Sequence, residues 1–337
     1  MEFCGNCLKN EFIKKSVAVH SDVTADCKVC GSNNTPIINV EYLHGLITPV
    51  LELYKPNPDG KNLLVLLKDD WLLFKGISND RLLQLLRNAK YGDNNLELNY
   101  VPMIEQQDVL DWDSFKSELK HNNRFFPKSF PEHNELASLI SYLSFEIDLR
   151  SQIFYRARII KNGAALYQPD KMGAPPAELA SNGRANPFGI SYLYVASTEN
   201  TAVSEVRPHN GEHVAIARFE NICNLKLVDL RNPRLTLVPF RYSEDSLRNI
   251  YKGLTLLEAL GVELTKPVSQ DKAHLEYLSS QYLCEFIKSQ KYDGVIYKSS
   301  LGDGDNYAVF EESNLECVAV TKALVSAINI THTACDE

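Results

Sequence analysis

The sequence has no apolar run long enough to cross a bilayer. Its most hydrophobic stretch, NLLVLLKDDWLLFKG, is interrupted by Lys68, Asp69 and Asp70, well short of the roughly 20 apolar residues that a spanning helix needs. The first residues, MEFCGNCLKN, lack the basic stretch followed by an apolar segment that marks a secretory signal. These absences point to the cytoplasm, where thiols stay reduced. Cations are in deficit: 35 Lys and Arg stand against 43 Asp and Glu, a net charge of −8. That balance argues against non-specific nucleic-acid binding, which needs excess positive charge to neutralise phosphates, and leaves room only for a local basic patch. G-x-G-x-x-G and G-x-x-x-x-G-K-[ST] are missing, so the usual phosphate-cradling loops are excluded. G-x-S-x-G and H-E-x-x-H are missing too, as are internal repeats and low-complexity tracts.

What is present is ordinary in bulk and specific in places. With 44% hydrophobic and 23% charged residues the 337-residue chain can bury a large core, and its length suits about two domains. Four of the eight cysteines are organised as CGNC (Cys4, Cys7) and CKVC (Cys27, Cys30). Two C-x2-C turns at this separation aim four thiolates at one point and close a tetrahedron round Zn²⁺. All four positions are filled by protein, so the expected metal is structural. Cys223, Cys284, Cys317 and Cys335 are scattered and read as small core or tail residues.

Residues 1–34 form the expected zinc knuckle, and residues 35–150 read as mainly helical. SNDRLLQLLRNAKYG offers Ser78 as N-cap, a Leu82, Leu85, Leu86 stripe and Gly92 as stop. DWDSFKSELKHN and HNELASLISYLSFEI continue the helical pattern. From residue 151 the texture changes to short strand-like runs: IFYRARI, SYLYVAS, HVAIARF, LKLVDL, DGVIY, NYAVF and ECVAV. Two strong helical patterns lie among them. EDSLRNIYKGLTLLEALG is expected to end on Gly261, and AHLEYLSSQYLCEFIKSQ carries apolar residues at helical spacing. Strands and helices do not alternate, so the expected class is α+β rather than a doubly wound sheet. This domain spans residues 151–325, with a tail at 326–337.

The candidate chemistry is distributed. Arg156 and Arg158 share a strand and, at period two, a face. Arg184 lies in the Gly/Asn-rich approach to the next strand, where Tyr192 and Tyr194 also share a face. Ser197 or Thr198 can cap the following helix, which places Glu205 about two turns in. YKSS (Tyr297–Ser300) closes a late strand. GDGDN (Gly302–Asn306) has the chemistry of a turn, and its acidic spacing does not match a calcium loop. In the helical half, Arg124 and His133 are too far apart for an R-x4–6-H ribonuclease motif.

FYRAR, GRANPFG, YLYVAST, AVSE and YDGVIYKSS…GDNYAVF, in that order, resemble the RES-domain family, named for its arginine, glutamate and serine. The resemblance covers about half of the chain. The preceding region is similar to a HEPN-like module found ahead of some RES domains. The resemblance implies a fold related to ADP-ribosyltransferases and NAD⁺ as substrate. It also implies a toxin that depletes NAD⁺ by glycohydrolysis or phosphorolysis, or modifies a protein, restrained by an antitoxin or immunity partner. Self-association stays open. By the same resemblance Arg156 and Arg184 match the family's two arginines, Tyr194 its central-strand tyrosine, Glu205 its glutamate and Ser299 its serine. GRAN departs from the many members with an aromatic after that arginine, and Ser300 leaves the serine open between two positions. The implied chemistry is coherent. Arginine forks suit a pyrophosphate, and a carboxylate near the ribose stabilises an oxocarbenium-like state. Tyr194 offers a face to nicotinamide, Ser299 a hydrogen bond to its amide or ribose. A neutral pyridine leaves without a general acid. A degenerate RES half on a zinc-nucleated binding module is the non-enzymatic alternative.

Overall fold

The structure, a computed structural model, describes residues 1–8, 10–72, 77–88, 96, 98–104, 111–129, 132–161, 163–266, 268 and 271–328. The chain forms two compact units, Met1–Leu110 with Arg234–Thr255, and Asp111–Pro233 with Leu256–Glu337. Among the described residues no helix is long and apolar enough to cross a membrane.

The N-terminal elements are β1 (Glu2–Cys4), α1 (Glu11–His20), β2 (Val23–Ala25), β3 (Thr35–Asn39), α2 (Glu41–Leu51), β4 (Tyr54–Asn62), α3 (Leu63–Trp71), α4 (Asn79–Asn88) and β5 (Asn99–Pro102). β1, β3 and β2 form an antiparallel sheet in that order, and β4 pairs with β5. The leucine stripe of α4 is buried as its 3.6-residue period requires, with Leu82, Leu85 and Leu86 fully enclosed. Ser78 caps the helix by accepting the Arg81 N–H at 3.4 Å. Gly92, the expected stop, lies outside the described residues.

From Asp111 the chain continues through α5 (Trp112–His121), α6 (His133–Ser141), β6 (Ser144–Ile147), β7 (Ile153–Ile160), β8 (Leu193–Ala196), α7 (Glu199–Glu205), β9 (His213–Asn221), β10 (Leu225–Asp229) and the one-turn α8 (Pro233–Thr236). Then follow α9 (Glu244–Thr265), α10 (Ala273–Glu276), α11 (Leu278–Ser289), β11 (Gly294–Lys298), β12 (Asp305–Val309) and β13 (Leu315–Leu324). All seven strand-like runs read from the sequence are strands. With β6 they build one eight-stranded sheet of order β13-β9-β7-β8-β12-β11-β10-β6, antiparallel except for the β10–β11 pair. The architecture is α+β. One face carries the main core, with Phe154, Leu193, Val195, Phe219, Leu227, Ile296, Tyr307 and Val309. α7 packs on the other face, setting Ala202, Val203 and Val206 against Tyr155, Ala157, Ala196 and Ile216.

Three local expectations are corrected. Helical patterning runs through SFEI, yet Ser144–Ile147 is an edge strand, because it pairs with β10 from Val228 to Leu225. α9 does not stop at Gly261. A Cβ there would lie 2.3 Å from the Leu230 carbonyl oxygen, so the glycine permits a close backbone approach inside a continuing helix. The next helical stretch is broken at Tyr277 into α10 and α11.

Candidate active site

The ladder between β7 and β8 consists of one register pair, Tyr155 with Ala196, whereas β7 pairs with β9 along its whole length. Next to that pair the Tyr194 carbonyl accepts from Arg156 Nη1 at 2.9 Å. A cavity of about 340 Å³ opens here, lined by Tyr155, Arg156, Asn182, Arg184, Glu205 and Asn306 among others. No histidine lines it.

Arg156 is partly buried, and its Nε is fully enclosed without a hydrogen-bond partner. Burial, with Arg158 as a second cause, holds its pKa down at about 10, so it stays charged at neutral pH. Arg158 occupies the same strand face but does not line the cavity. It donates to the Gly173 carbonyl at 2.9 Å and lies 5.9 Å from the Tyr167 ring centre. Arg184 donates to the Leu264 carbonyl at 2.8 Å. Neither Arg156 nor Arg184 has a carboxylate partner among the described residues. An anion entering the cavity therefore meets two cations with donors to spare.

The loop carrying Arg184 is held from several sides. Gln281 Nε2 donates to the Gly183 and Asn186 carbonyls at 2.7 and 3.1 Å, and Ser280 Oγ to the Arg184 carbonyl at 2.6 Å. Asn186 Nδ2 donates to the carbonyls of Ser181, Pro187 and Ile190. The Tyr194 hydroxyl donates to Asn186 Oδ1 at 2.7 Å and accepts the Ala185 N–H at 3.2 Å. Tyr194 thus lines the cavity, and its hydroxyl ties down the loop. Desolvation pushes the phenols of Tyr194 and the buried Tyr297 above the ordinary range, so both remain neutral. Tyr192 takes no part. It is buried, its hydroxyl is bonded to Glu285, and its ring packs on Phe310.

Glu205 ends α7. Thr198 is the N-cap, accepting the Thr201 N–H at 3.1 Å. The turn between β11 and β12 folds over that end: the Gly304 and Asp305 N–H groups donate to Thr201 Oγ1 and Ser197 Oγ. A Cβ on Gly304 would meet both hydroxyls, at 2.5 and 2.6 Å. Glu205 lines the cavity and is itself exposed. Two side chains hold it, as Ser299 Oγ and Asn306 Nδ2 each donate to Oε1 at 2.7 Å. Ser299 is therefore the serine that meets the glutamate, while Ser300 lines a separate cavity of about 660 Å³.

The sequence reading brought Arg156, Arg184, Tyr194, Glu205 and Ser299 to one place, and the structure puts all five at this cavity or against its glutamate. It missed Asn306, Tyr297, Asn186, Ser280 and Gln281. The first three sit inside quoted motifs and could have been flagged as polar residues within apolar strands or turns. Ser280 and Gln281 look like any polar positions on a helix.

In the first unit the sulfurs of Cys4, Cys7, Cys27 and Cys30 lie within 4.8 Å of one another, with separations of 3.9 Å (Cys4–Cys7), 3.4 Å (Cys4–Cys30) and 3.5 Å (Cys7–Cys27). A tetrahedral ion with Zn–S bonds of about 2.3 Å spaces its sulfurs by about 3.8 Å, so the donor set fits. The separations are too long for disulfides. Burial pushes the Cys4 thiol up to about 11 and Cys7 higher. At Cys30 burial acts the same way, but hydrogen bonds from the hydroxyl and N–H of Ser32 and from the Cys4 and Cys7 thiols together outweigh it, giving about 7. Burial thus keeps Cys4 and Cys7 protonated on their own, and the four sulfurs could act together as thiolates only with a cation to balance them.

Three comparisons bear on these features. The sequence profile of the RES domain matches residues 153–331. Curated proteins give no match. A chain of the crystal structure of the M. tuberculosis MbcT–MbcA toxin–antitoxin complex is similar at 12% identity and a TM-score of 0.35, over 58% of this chain and 94% of that one.

Proposed function

The chain belongs to the RES-domain family, and from that premise we propose that its second unit consumes NAD⁺ by breaking the nicotinamide–ribose bond at the Glu205 cavity. The reading is supported by one juxtaposition: a carboxylate fixed by two donors in a cavity that also holds two arginines without carboxylate partners. The arginines bind the pyrophosphate, and the Tyr194 ring flanks the nicotinamide. Glu205 Oε2, which has no hydrogen bond among the described residues, faces the anomeric carbon as positive charge develops there. Nicotinamide departs as a neutral pyridine, which suits a cavity without a histidine. Exposure of Glu205 leaves the anomeric carbon open to water, phosphate or a protein side chain as acceptor.

Membership of this family also supports a role as a toxin restrained by a partner protein. Cys4, Cys7, Cys27 and Cys30 are proposed to hold one structural Zn²⁺; of the HEPN-like module expected at residues 35–150, we propose only the part up to Leu110, because 111–150 belongs to the second unit and gives β6 to its sheet.

The experiment is a time course of NAD⁺ loss and nicotinamide release with purified protein and Glu205→Gln, with product analysis to identify the acceptor. The variant keeps shape and removes charge. We expect turnover to fall about 100- to 1000-fold, the effect of losing one preorganised stabilising group, with NAD⁺ binding and melting temperature little changed. Cleavage within a few-fold of wild type would reduce Glu205 to a surface residue of α7.

A further inference from the structure

An exposed glutamate at a helix end ordinarily samples several rotamers, and ordering such a side chain costs conformational entropy. Glu205 is exposed, yet it is held at one oxygen by two donors. One of these, Asn306, is outside the motif residues that name the family. It is buried, 7% exposed, near the start of β12. In the sheet it lies between Tyr297 on β11 and Ala196 on β8, so its backbone is set by paired strands on both sides. Its neighbours Tyr307 and Val309 are anchored in the main core on the opposite face.

The hydrogen-bonding capacity of the two donors settles what each can do. Ser299 Oγ accepts the N–H groups of Leu301 and Gly302, both at 3.0 Å, and donates its proton to Glu205. A hydroxyl has two acceptor sites and one proton, so Ser299 has nothing left for a substrate. Asn306 can offer Glu205 only an N–H. Two donors on Oε1 leave Oε2 as the oxygen with its acceptor capacity intact.

We infer that Asn306 is a positioning residue which, with Ser299, locks Glu205 by Oε1 so that Oε2 alone is presented to the ribose. Ser299 acts through the same carboxylate and does not touch substrate. The inference rests on the proposed NAD⁺ chemistry for its functional readout, but the bond itself has a separate one.

Two variants test it. Asn306→Asp is nearly isosteric, removes the donor and sets a second carboxylate against Glu205. Asn306→Ala removes the donor without adding charge. Loss of a hydrogen bond to a charged group predicts kcat for NAD⁺ loss down about 10- to 100-fold in Asn306→Ala. KM should stay within a few-fold, and Asn306→Asp should be at least as impaired with a near-normal melting curve. In a Glu205→Ala background, Asn306→Ala should cost nothing further, because the group it acts through is gone. Independent losses that multiply in the double variant, or a matched rise in KM, would mean that Asn306 contacts substrate or merely supports the fold, and would overturn the inference. The activity-free readout is the ¹⁵N–¹H resonance of the Asn306 side-chain amide. One proton should be shifted downfield in the wild type and return upfield in Glu205→Ala. An unmoved resonance would overturn the inference even if NAD⁺ is cleaved. A moved resonance in a protein inert to NAD⁺ would uphold the lock and sink the proposed reaction.

Discussion

Arg156 gives one N–H to the Tyr194 carbonyl and keeps an enclosed Nε without a partner. A planar guanidinium has donors enough to hold its place through Nη1 and still turn Nη2 to a phosphate. A lysine ammonium is a single point charge on a flexible stem. Arg156→Lys should therefore raise KM for NAD⁺ about tenfold or more, the worth of one charge-assisted hydrogen bond. Arg158→Lys should change it little, because Arg158 is engaged with Gly173 and Tyr167. Initial-rate measurements on both variants check this, and equal effects at the two positions would show that only net charge matters. Sequence alone left these arginines equivalent, since alternate residues of one strand share a face. What separates them is the opening of the β7–β8 ladder beside Arg156, a property of strand pairing that no local pattern encodes.

At the scale of elements, the Arg184 loop depends on a glycine. A Cβ on Gly183 would lie 2.1 Å from Asn186 Oδ1 and 2.7 Å from the Tyr194 hydroxyl, the two atoms whose mutual hydrogen bond ties down the turn. Gly183→Ala should force them apart, costing about 1–3 kcal/mol as overpacking does, and should raise KM by displacing Arg184. Denaturant melts read the first effect and NAD⁺ saturation curves the second; a stable variant with normal KM would show that the loop yields without loss. The strands from β7 to β13 were legible as short runs rich in β-branched and aromatic residues, even where β9, β11 and β12 are buried nearly throughout, and the α4 stripe was legible through its 3.6-residue repeat. Gly261 shows the limit of such reading. A glycine signals either a helix stop or a close approach, and only the nearness of the Leu230 carbonyl decides between them.

Across the whole molecule, the Cys4 cluster belongs to the first unit and the Glu205 cavity to the second. Metal analysis should find about one zinc per chain. Cys27→Ser should lose most of it and lower the melting transition, while folded variant protein retains near wild-type NAD⁺ turnover. A zinc-free wild type with intact stability would overturn the assignment. The sequence by itself determined the zinc-ligand spacing, the α+β class and the RES motifs, because each is written in residues close along the chain. The tertiary structure alone decided that 234–255 joins the first unit. It alone also decided that Ser299 and Asn306, 94 and 101 residues from Glu205, meet on one carboxylate oxygen. The reason is register: β12 lies between β8 and β11, and this sets Asn306 beside the end of α7, a juxtaposition that arises only when strands distant in sequence pair.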